Sequence, residues 1–450
     1  MFLSNMNITI LSVFPELYSS FCKTSLIGRA QEKGTIELNV TSFFEFVEPK
    51  ERIDAPSFGH GAGMLIRPDV VERAITHRVD QAGPAYKIFF SPQGAKLDQR
   101  MMRRIAQKAK SVGHLMLVTA RYEGMDARVE EYYADEVVSL GDFVLLGGDL
   151  PAMVLLEGVV RLFPGVVGKA ESIEKESFTG SFVDYPEYTA PVDWHDMQVP
   201  DVVRSGNHGA LHAWRQDQAV KKTVMHHFSW LRTNELTDTE REVVTQHLPT
   251  HYVALLHNDV LVGPDKVPGT TSVTSIDIHD IARSCATYGV KGFTIVTSLE
   301  DQQKVVSTLL DFWKVGPGIT YNRVRHEAVK AVTIAPRIAD VIRAIHEKEG
   351  VEPLVIATSA RQVAHKRAIT FFDQELVWSH KRPVLFIFGT GQGLTKECID
   401  LCDFLLPPVG GVLPYRHLSV RSAVAIILDR WLGFNQREYK QDCQDANSAV

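Results

Sequence analysis

Apolar runs of strand length, separated by longer stretches of helical periodicity, occur in two parts of this chain and limit its fold more than any other feature. In the first part the runs fall at residues 7–13, 87–90, 114–119 and 135–140, and helical spacing covers 99–110 and 151–163. In the second, runs at 252–256, 292–296, 354–357 and 383–388 alternate with helical stretches at 277–288, 301–314 and 418–432. Strands that are apolar along their whole length and joined through helices belong to parallel sheets covered on both faces. The expected class is α/β, two open parallel sheets with a small helical region at 211–230 between them.

The chain has 450 residues, of which 45% are hydrophobic and 23% charged, a balance that suits a globular protein with more than one core. Its five cysteines, Cys22, Cys285, Cys398, Cys402 and Cys443, are sparse and odd in number. That pattern fits buried thiols in a reducing compartment better than a disulfide framework. Cys398 and Cys402 can share a helical face, but no His or Cys cluster completes a tetrad, so no metal is expected. No run approaches the ~20 apolar residues that span a bilayer, and the N-terminus lacks the basic region and cleavage site of a signal peptide. A soluble, cytoplasmic protein is expected, with no membrane or DNA partner.

Net charge is −6, so bulk electrostatics do not mark a nucleic-acid binder. Local charge says more. Lys96, Arg100, Arg103, Arg104, Lys108 and Lys110 fall at helical spacing, and such a stripe either neutralises phosphates or is a solvated face.

The strand–helix alternation stops near Gly165. Residues 168–180, GKAESIEKESFTG, are polar and aperiodic and read as a linker. The expected boundaries are 1–167 for the first α/β domain, 168–180 for the linker, 181–248 for a helical domain, 250–436 for the second α/β domain and 437–450 for a tail.

Glycine-rich turns close several apolar runs, at 59–63, 91–94, 140–148 and 389–393. Open α/β sheets bind ligands at the carboxyl ends of their strands, and glycines there let backbone groups approach a ligand. The turn GTGQG at 389–393 lacks the GxGxxG spacing, and no GxxxxGK[ST] run is present. Neither dinucleotides nor phosphate-loop nucleotides are indicated.

FGHGAGM (58–64), SPQGAKLDQ (91–99), RYEGMDARV (121–129) and LGDFVLLGGDLPAM (140–153) follow one another in the first half. RLFPGVVG (161–168), ESF (176–178), YPEYTAP (185–191) and SGNH (205–208) continue the series. Taken in order, over about residues 6–235, these motifs resemble the bacterial tRNA (guanine-N1)-methyltransferases of the TrmD family.

That resemblance implies a SPOUT-type sheet with a deep trefoil knot, a homodimer, and S-adenosyl-L-methionine as methyl donor. It also implies a tRNA anticodon stem-loop as substrate, methylated at N1 of the guanine 3′ of the anticodon. The implied cofactor residues are Ser91, Pro92, Gln93 and Gly94, then Ala120, Tyr122, Glu123 and Gly124. Leu140, Gly141, Asp142, Phe143, Val144, Leu145, Gly147, Gly148 and Pro151 complete them. Methylating N1 of guanine requires a base for its proton and a donor at O6, where negative charge develops. The family's base and arginine fall on Glu176 and Arg161, although the family has aspartate at the first position. Glu171 and Glu174 are the other linker carboxylates able to serve. Further departures are Ala120, where glycine is usual, Ala190, where arginine is usual, and His60.

The second half resembles the TrmH-like SPOUT methyltransferases in three motifs. DIHDIARSCATYGV (277–290) places Arg283 on the family's arginine, with Asp277 and His279 replacing asparagine and glycine. FGTGQGL (388–394) supplies Gly389, Gly391 and Gly393. HLSVRSAVAIILDR (417–430) supplies Leu418 and Ser419, the latter in place of asparagine. The resemblance implies a second S-adenosylmethionine site, either catalytic or serving only as an RNA-binding platform.

Overall fold

A computed structural model describes residues 5–59, 61, 63–167, 176–364 and 367–434. The chain divides into two compact units, Met1–Thr179 and Gly180–Val450.

The first unit is built on a five-stranded parallel sheet. Its order is Ile36–Ser42, Met6–Ser12, His114–Val118, Tyr86–Lys96, Glu136–Ser139. The central strands are buried on both faces, as their lack of alternation requires. On one face Ile8, Ile10, Leu115 and Leu117 share a hydrophobic cluster with Met101, Ile105, Leu155 and Val159, from helices Gln99–Val112 and Asp149–Val160. On the other, Leu11, Phe89, Met116 and Val118 pack with Val70, Val71 and Ala74 of helix Pro68–Ala82.

The helix Gln99–Val112 is fixed at its start by Asp98, whose carboxylate accepts from Met101 N–H at 2.8 Å. Its outer face carries the basic stripe, already partly neutralised. Arg104 pairs with Glu136 at 3.0 Å, while Lys108 and Lys110 stay exposed; Lys96, expected in the same stripe, instead ends the strand Tyr86–Lys96 and pairs with Asp142.

The second unit carries a six-stranded parallel sheet. Its order is Val332–Ala335, Gly292–Val296, His251–Leu256, Val384–Gly389, Leu354–Ala357, Phe404–Leu405. Helices Ser275–Thr287, Glu300–Lys314 and Val420–Leu432 supply buried faces to its core.

The helical region between the sheets comprises His208–His226, Phe228–Leu231 and Asp238–His247. It does not form a body of its own. Val220, Val224, Phe228, Leu231 and Val244 lie in one hydrophobic cluster with Trp378, Phe386 and Trp431 of the second α/β layer. The Phe228 ring meets Trp378 edge-on at 4.8 Å between centroids. Arg232, mostly buried, donates to the carbonyls of Gly433, Arg430 and Asp429 at 2.5, 2.6 and 2.8 Å. Short helices cannot enclose a core, so these bury their apolar faces on the neighbouring layer. The boundary expected between 248 and 250 is therefore not a break in packing.

Cys22, Cys285, Cys398 and Cys402 are buried free thiols, and Cys443 lies outside the described residues. Among the described residues, no helix is long and apolar enough to cross a membrane.

His251 opens the central strand of the second sheet and is buried. One ring nitrogen, Nδ1, is 2.6 Å from the Pro249 carbonyl, and Nε2 accepts from Trp431 Nε1 at 3.2 Å. Burial holds its pKa down to about 4, against an ordinary 6.5. The unfolded chain thus binds this proton more readily than the folded one. The neutral ring's contribution is complete above about pH 6.5 and is lost as pH falls through 4. Thermal unfolding should show the second unit weakened by the order of 3 kcal/mol on this account by pH 4. His251→Gln should start less stable at pH 7 and show a shallower acid slope.

Candidate active site

A cavity of about 260 Å³ opens at the carboxyl ends of the first sheet's strands. Three segments bring it together. The strand Tyr86–Lys96 breaks its pairing where Phe90 and Ala95 both face Val138, so residues 91–94 loop out. The loop at 120–124 is tied to the next turn by Gly148 N–H, which donates to the Ala120 carbonyl at 2.8 Å. The same loop is tied to the short strand Met64–Ile66 through Glu123 N–H, which donates to the Met64 carbonyl at 3.1 Å. Tyr122 is held at φ 60, a backbone state that non-glycine residues adopt at a cost of about 1–3 kcal/mol and that clusters at functional sites.

The walls are chiefly apolar, with Leu140, Val144, Leu145 and Pro151 among the lining residues. Apart from Gln93, Gly94, Gly141 and Asp142, every residue expected around the cofactor lines this cavity. Those four have other neighbours. A Cβ on Gly94 would stand 2.6 Å from the Val137 carbonyl oxygen, so this glycine serves the close approach of two strands. Gly141 packs under the Phe143 ring, Asp142 pairs with Lys96, and Gln93 N–H donates to Ser91 Oγ at 3.2 Å. Arg121, within the expected 120–124 stretch, also lines the cavity, and Phe90, Val138 and Ser139 line it without having been expected.

Arg121 leads to a heavily bonded buried carboxylate, Asp149. Its Nε donates to Asp149 Oδ2 at 2.8 Å. The hydroxyls of Ser12, Tyr18 and Thr119 lie 2.6, 3.0 and 3.0 Å from Oδ1 of the same carboxylate. Asp149 is 2% exposed and starts the helix Asp149–Val160, where the helix dipole favours negative charge. Burial first, and then the Asp149 carboxylate, push the Tyr18 phenol well above its ordinary value, so it stays a donor.

The two residues expected to act on guanine meet each other. Arg161 ends the helix Asp149–Val160, and its guanidinium forms an ion pair with Glu176. Both side chains are about a third exposed, at 32% and 28%. Neither lines the 260 Å³ cavity; Arg161 borders a separate hollow beside Ser20, Phe21 and Glu157. Glu171, Glu174 and His60 lie outside the described residues.

A second cavity, of about 440 Å³, opens in the second unit. Gly389, Gly391, Gly393, Leu418 and Ser419 line it, as expected. The first two of these glycines have a packing reason of their own. A Cβ on Gly389 would lie 2.6 Å from Leu394 N, and one on Gly391 would lie 2.7 Å from the Leu261 carbonyl oxygen.

Arg283 does not line this cavity; it borders an adjoining hollow together with Asp280, Tyr288 and Arg421. It stands six residues beyond Asp277 on Ser275–Thr287, hence on another face of that helix. There it pairs with Asp280 and is 56% exposed. The arginine beside Asp277 is Arg421, at 3.2 Å, and it does line the cavity. The motif spacing alone could have suggested Arg421, two residues after Ser419 at the opening of the helix Val420–Leu432.

Two family profiles match the chain. One, described as tRNA (guanine-1)-methyltransferase TrmD, covers residues 6–232. The other, described as SAM-dependent RNA methyltransferase, covers residues 250–433. A protein of Nitratidesulfovibrio vulgaris named tRNA (guanine-N(1)-)-methyltransferase is 37% identical over 95% of this chain and 99% of its own length. One of the same name from Oleidesulfovibrio alaskensis is 36% identical over 95% and 99%. A Geobacillus kaustophilus protein, again so named, is 36% identical over 53% of this chain and 96% of its own length.

Asp149 should be the costliest single carboxylate to remove from the first unit. Asp149→Ala leaves the Arg121 charge and the Ser12 and Tyr18 hydroxyls without their carboxylate acceptor, while Thr119 keeps the Leu11 carbonyl at 2.9 Å, and should lower stability by about 3–5 kcal/mol. Denaturant unfolding of the whole chain, followed by a probe in the first unit, measures this. A loss below 1 kcal/mol would mean that water replaces the carboxylate.

Proposed function

The chain belongs to the tRNA (guanine-1)-methyltransferase family, TrmD, and on that premise we propose that it methylates N1 of the guanine 3′ of the anticodon and works as a homodimer. The observation that carries this reading is the ion pair between Arg161 and Glu176. Guanine presents an N1–H donor beside an O6 acceptor, so a carboxylate next to a guanidinium is the complement of that edge. In the absence of guanine the two groups satisfy each other.

The first cavity suits S-adenosylmethionine. Its aliphatic walls can pack a flat heterocycle, backbone groups of the 120–124 and 140–148 loops can read its edge, and the Glu123 carboxylate can face a cation. When bound there, the cofactor supplies an electrophilic methyl group on a sulfonium. Glu176 takes the N1 proton, which frees the nitrogen lone pair for the methyl carbon. Arg161 donates to O6, where the charge of the deprotonated ring collects. The trefoil knot belongs to this reading and follows from the family alone.

The homodimer is supported by two features. Arg161 and Glu176 do not line the cavity of their own subunit, so a second copy can supply them. Val144 and Leu146 at the cavity edge are 84% and 88% exposed, and Leu150 and Val154 follow on the next helix at 59% and 45%. An apolar strip of this kind calls for a partner surface.

We also propose that the second cavity takes S-adenosylmethionine, a reading supported by the profile match over residues 250–433. The rival, a non-catalytic RNA platform, draws support from the outward position of Arg283. Calorimetry on the whole chain separates them through the stoichiometry: two cofactors per chain for the first, one for the second.

Glu176→Gln should reduce turnover by at least ~100-fold, the usual scale for losing a general base, while cofactor affinity stays within a factor of about two. Nucleoside mass spectrometry of treated tRNA reads the product, and near-normal N1-methylguanine would pass the role to Glu171 or Glu174. Replacing both Val144 and Leu146 with aspartate should give monomers in sedimentation and abolish methyl transfer; an active monomer would disprove sharing of the site. Lys108→Ala with Lys110→Ala should lower the salt slope of tRNA binding by about one per lost phosphate contact. An unaltered slope makes that stripe a solvated face.

A further inference from the structure

Two buried polar atoms on the lining of the second cavity have no partner among the described residues: His257 Nε2 and Arg361 Nε. His257 is 1% exposed, and its hydrogen bonds fix which of its nitrogens carries the proton. The Thr390 hydroxyl donates to the Leu256 carbonyl at 2.9 Å. Its one hydrogen is thereby used, so in the 2.5 Å contact with Thr271 it accepts, and Thr271 is the donor. The Thr271 oxygen, 3.0 Å from His257 Nδ1, must then accept from that nitrogen. The relay therefore places the proton on Nδ1 and leaves a bare lone pair on Nε2. Burial holds this imidazole's pKa down to about 4, with Asp277 acting in the opposite direction, so the ring is neutral near pH 7.

A buried acceptor without a donor is costly, and native sites that keep one usually reserve it for a bound molecule. The lining also collects four cations: Lys266, Arg361, Arg416 and Arg421. Asp277 is the one carboxylate among the lining residues, and Arg421 already pairs with it. S-Adenosylmethionine bears no phosphate, and its single carboxylate can answer only one of the three cations that Asp277 leaves unpaired. In the first cavity the lining cation is Arg121, and buried Asp149 neutralises it.

We propose that the second cavity binds a phosphate-bearing nucleotide of an acceptor RNA, whose N–H or O–H donates to His257 Nε2 while Lys266, Arg361 and Arg416 take its phosphate. This rests on the reading of the second unit as an RNA methyltransferase and names the part of the cavity that faces the acceptor. His257 is a binding residue here, and Thr271 and Thr390 hold its tautomer.

The test uses the full chain, titrated with each of the four ribonucleoside 5′-monophosphates and with the matching nucleosides. His257→Asn keeps an N–H toward Thr271 and deletes the Nε2 acceptor. It should weaken binding of the favoured monophosphate by about tenfold or more, the value of one buried hydrogen bond. Lys266→Ala with Arg416→Ala should abolish the preference for monophosphate over nucleoside. Thr271→Val, which frees the tautomer, is the second variant, and should weaken binding in the same direction by a smaller factor. Unchanged binding by folded His257→Asn, or no binding of any monophosphate by the wild type at millimolar concentration, overturns the proposal. S-Adenosylhomocysteine stoichiometry, measured in parallel, tests the underlying reading separately. One per chain together with His257-dependent nucleotide binding would remove the second cofactor and keep the nucleotide site.

Discussion

One buried carboxylate organises the first unit. Asp149 gathers Ser12 from the end of a central strand, Thr119 from the end of its neighbour, Tyr18 from the first connection, and Arg121 from the cavity loop. An isolated charge in such a place would be expelled or neutralised. Here a guanidinium and neighbouring hydroxyls bond to the carboxylate, which stands at a helix N-terminus. The cavity loops depend on this arrangement. Arg121 is drawn inward by the ion pair and lies over the Phe14 ring at 5.1 Å, which leaves Tyr122 and Glu123 to turn toward solvent at the cavity mouth.

The two units solve one architectural problem with different electrostatics. Each has its cavity beyond a parallel sheet, between loops that backbone contacts hold together. In the first, the lining is mostly apolar and the lining arginine is neutralised beneath the surface. The second lining carries an excess of positive charge and a buried histidine with a free lone pair. In the first unit the ion pair of Arg161 and Glu176 lies away from the cavity, whereas in the second the polar groups are part of the cavity wall. The first arrangement suits a site completed by another copy, and the second suits one that receives its substrate directly.

Much of the first cavity was legible in the sequence because its loops are marked by motifs that also fix their conformation. The exceptions are instructive. Gly94 and Gly141 belong to the motifs but serve packing, and Asp142 is taken up by Lys96. Arg121 falls in the expected 120–124 stretch, but its ion pair with Asp149, 28 residues away, is not visible in the sequence, which shows such pairs only once the fold is known. Strand Ile36–Ser42 and helix Pro68–Ala82 escaped for another reason. The strand lies at the edge of the sheet with most of its residues only partly covered, and the helix has few buried positions among many charged ones. In both, the apolar signal was diluted.

In the second unit, position in a motif and position on the cavity wall are separate matters. Arg283 occupies the expected position in the motif, yet helical rotation carries it to a face where it meets Asp280, and Arg421 stands beside Asp277 instead. The glycines at 389 and 391 likewise fit the motif, but close backbone contacts would exclude a side chain even from a loop that bound nothing. Their presence therefore says little about a ligand. The stronger evidence is polar and costs the fold something: a histidine whose neighbours fix its proton and leave its other nitrogen unpaired. The same logic sets the extent of the unit. Trp378, Phe386 and Trp431 share their cluster with Phe228 and Leu231, and Arg232 closes the carbonyls at the end of Val420–Leu432. A chain cut at residue 250 would expose that apolar face and orphan those carbonyls. The natural folding unit of the second half therefore begins before the helices, at the compact boundary near Gly180.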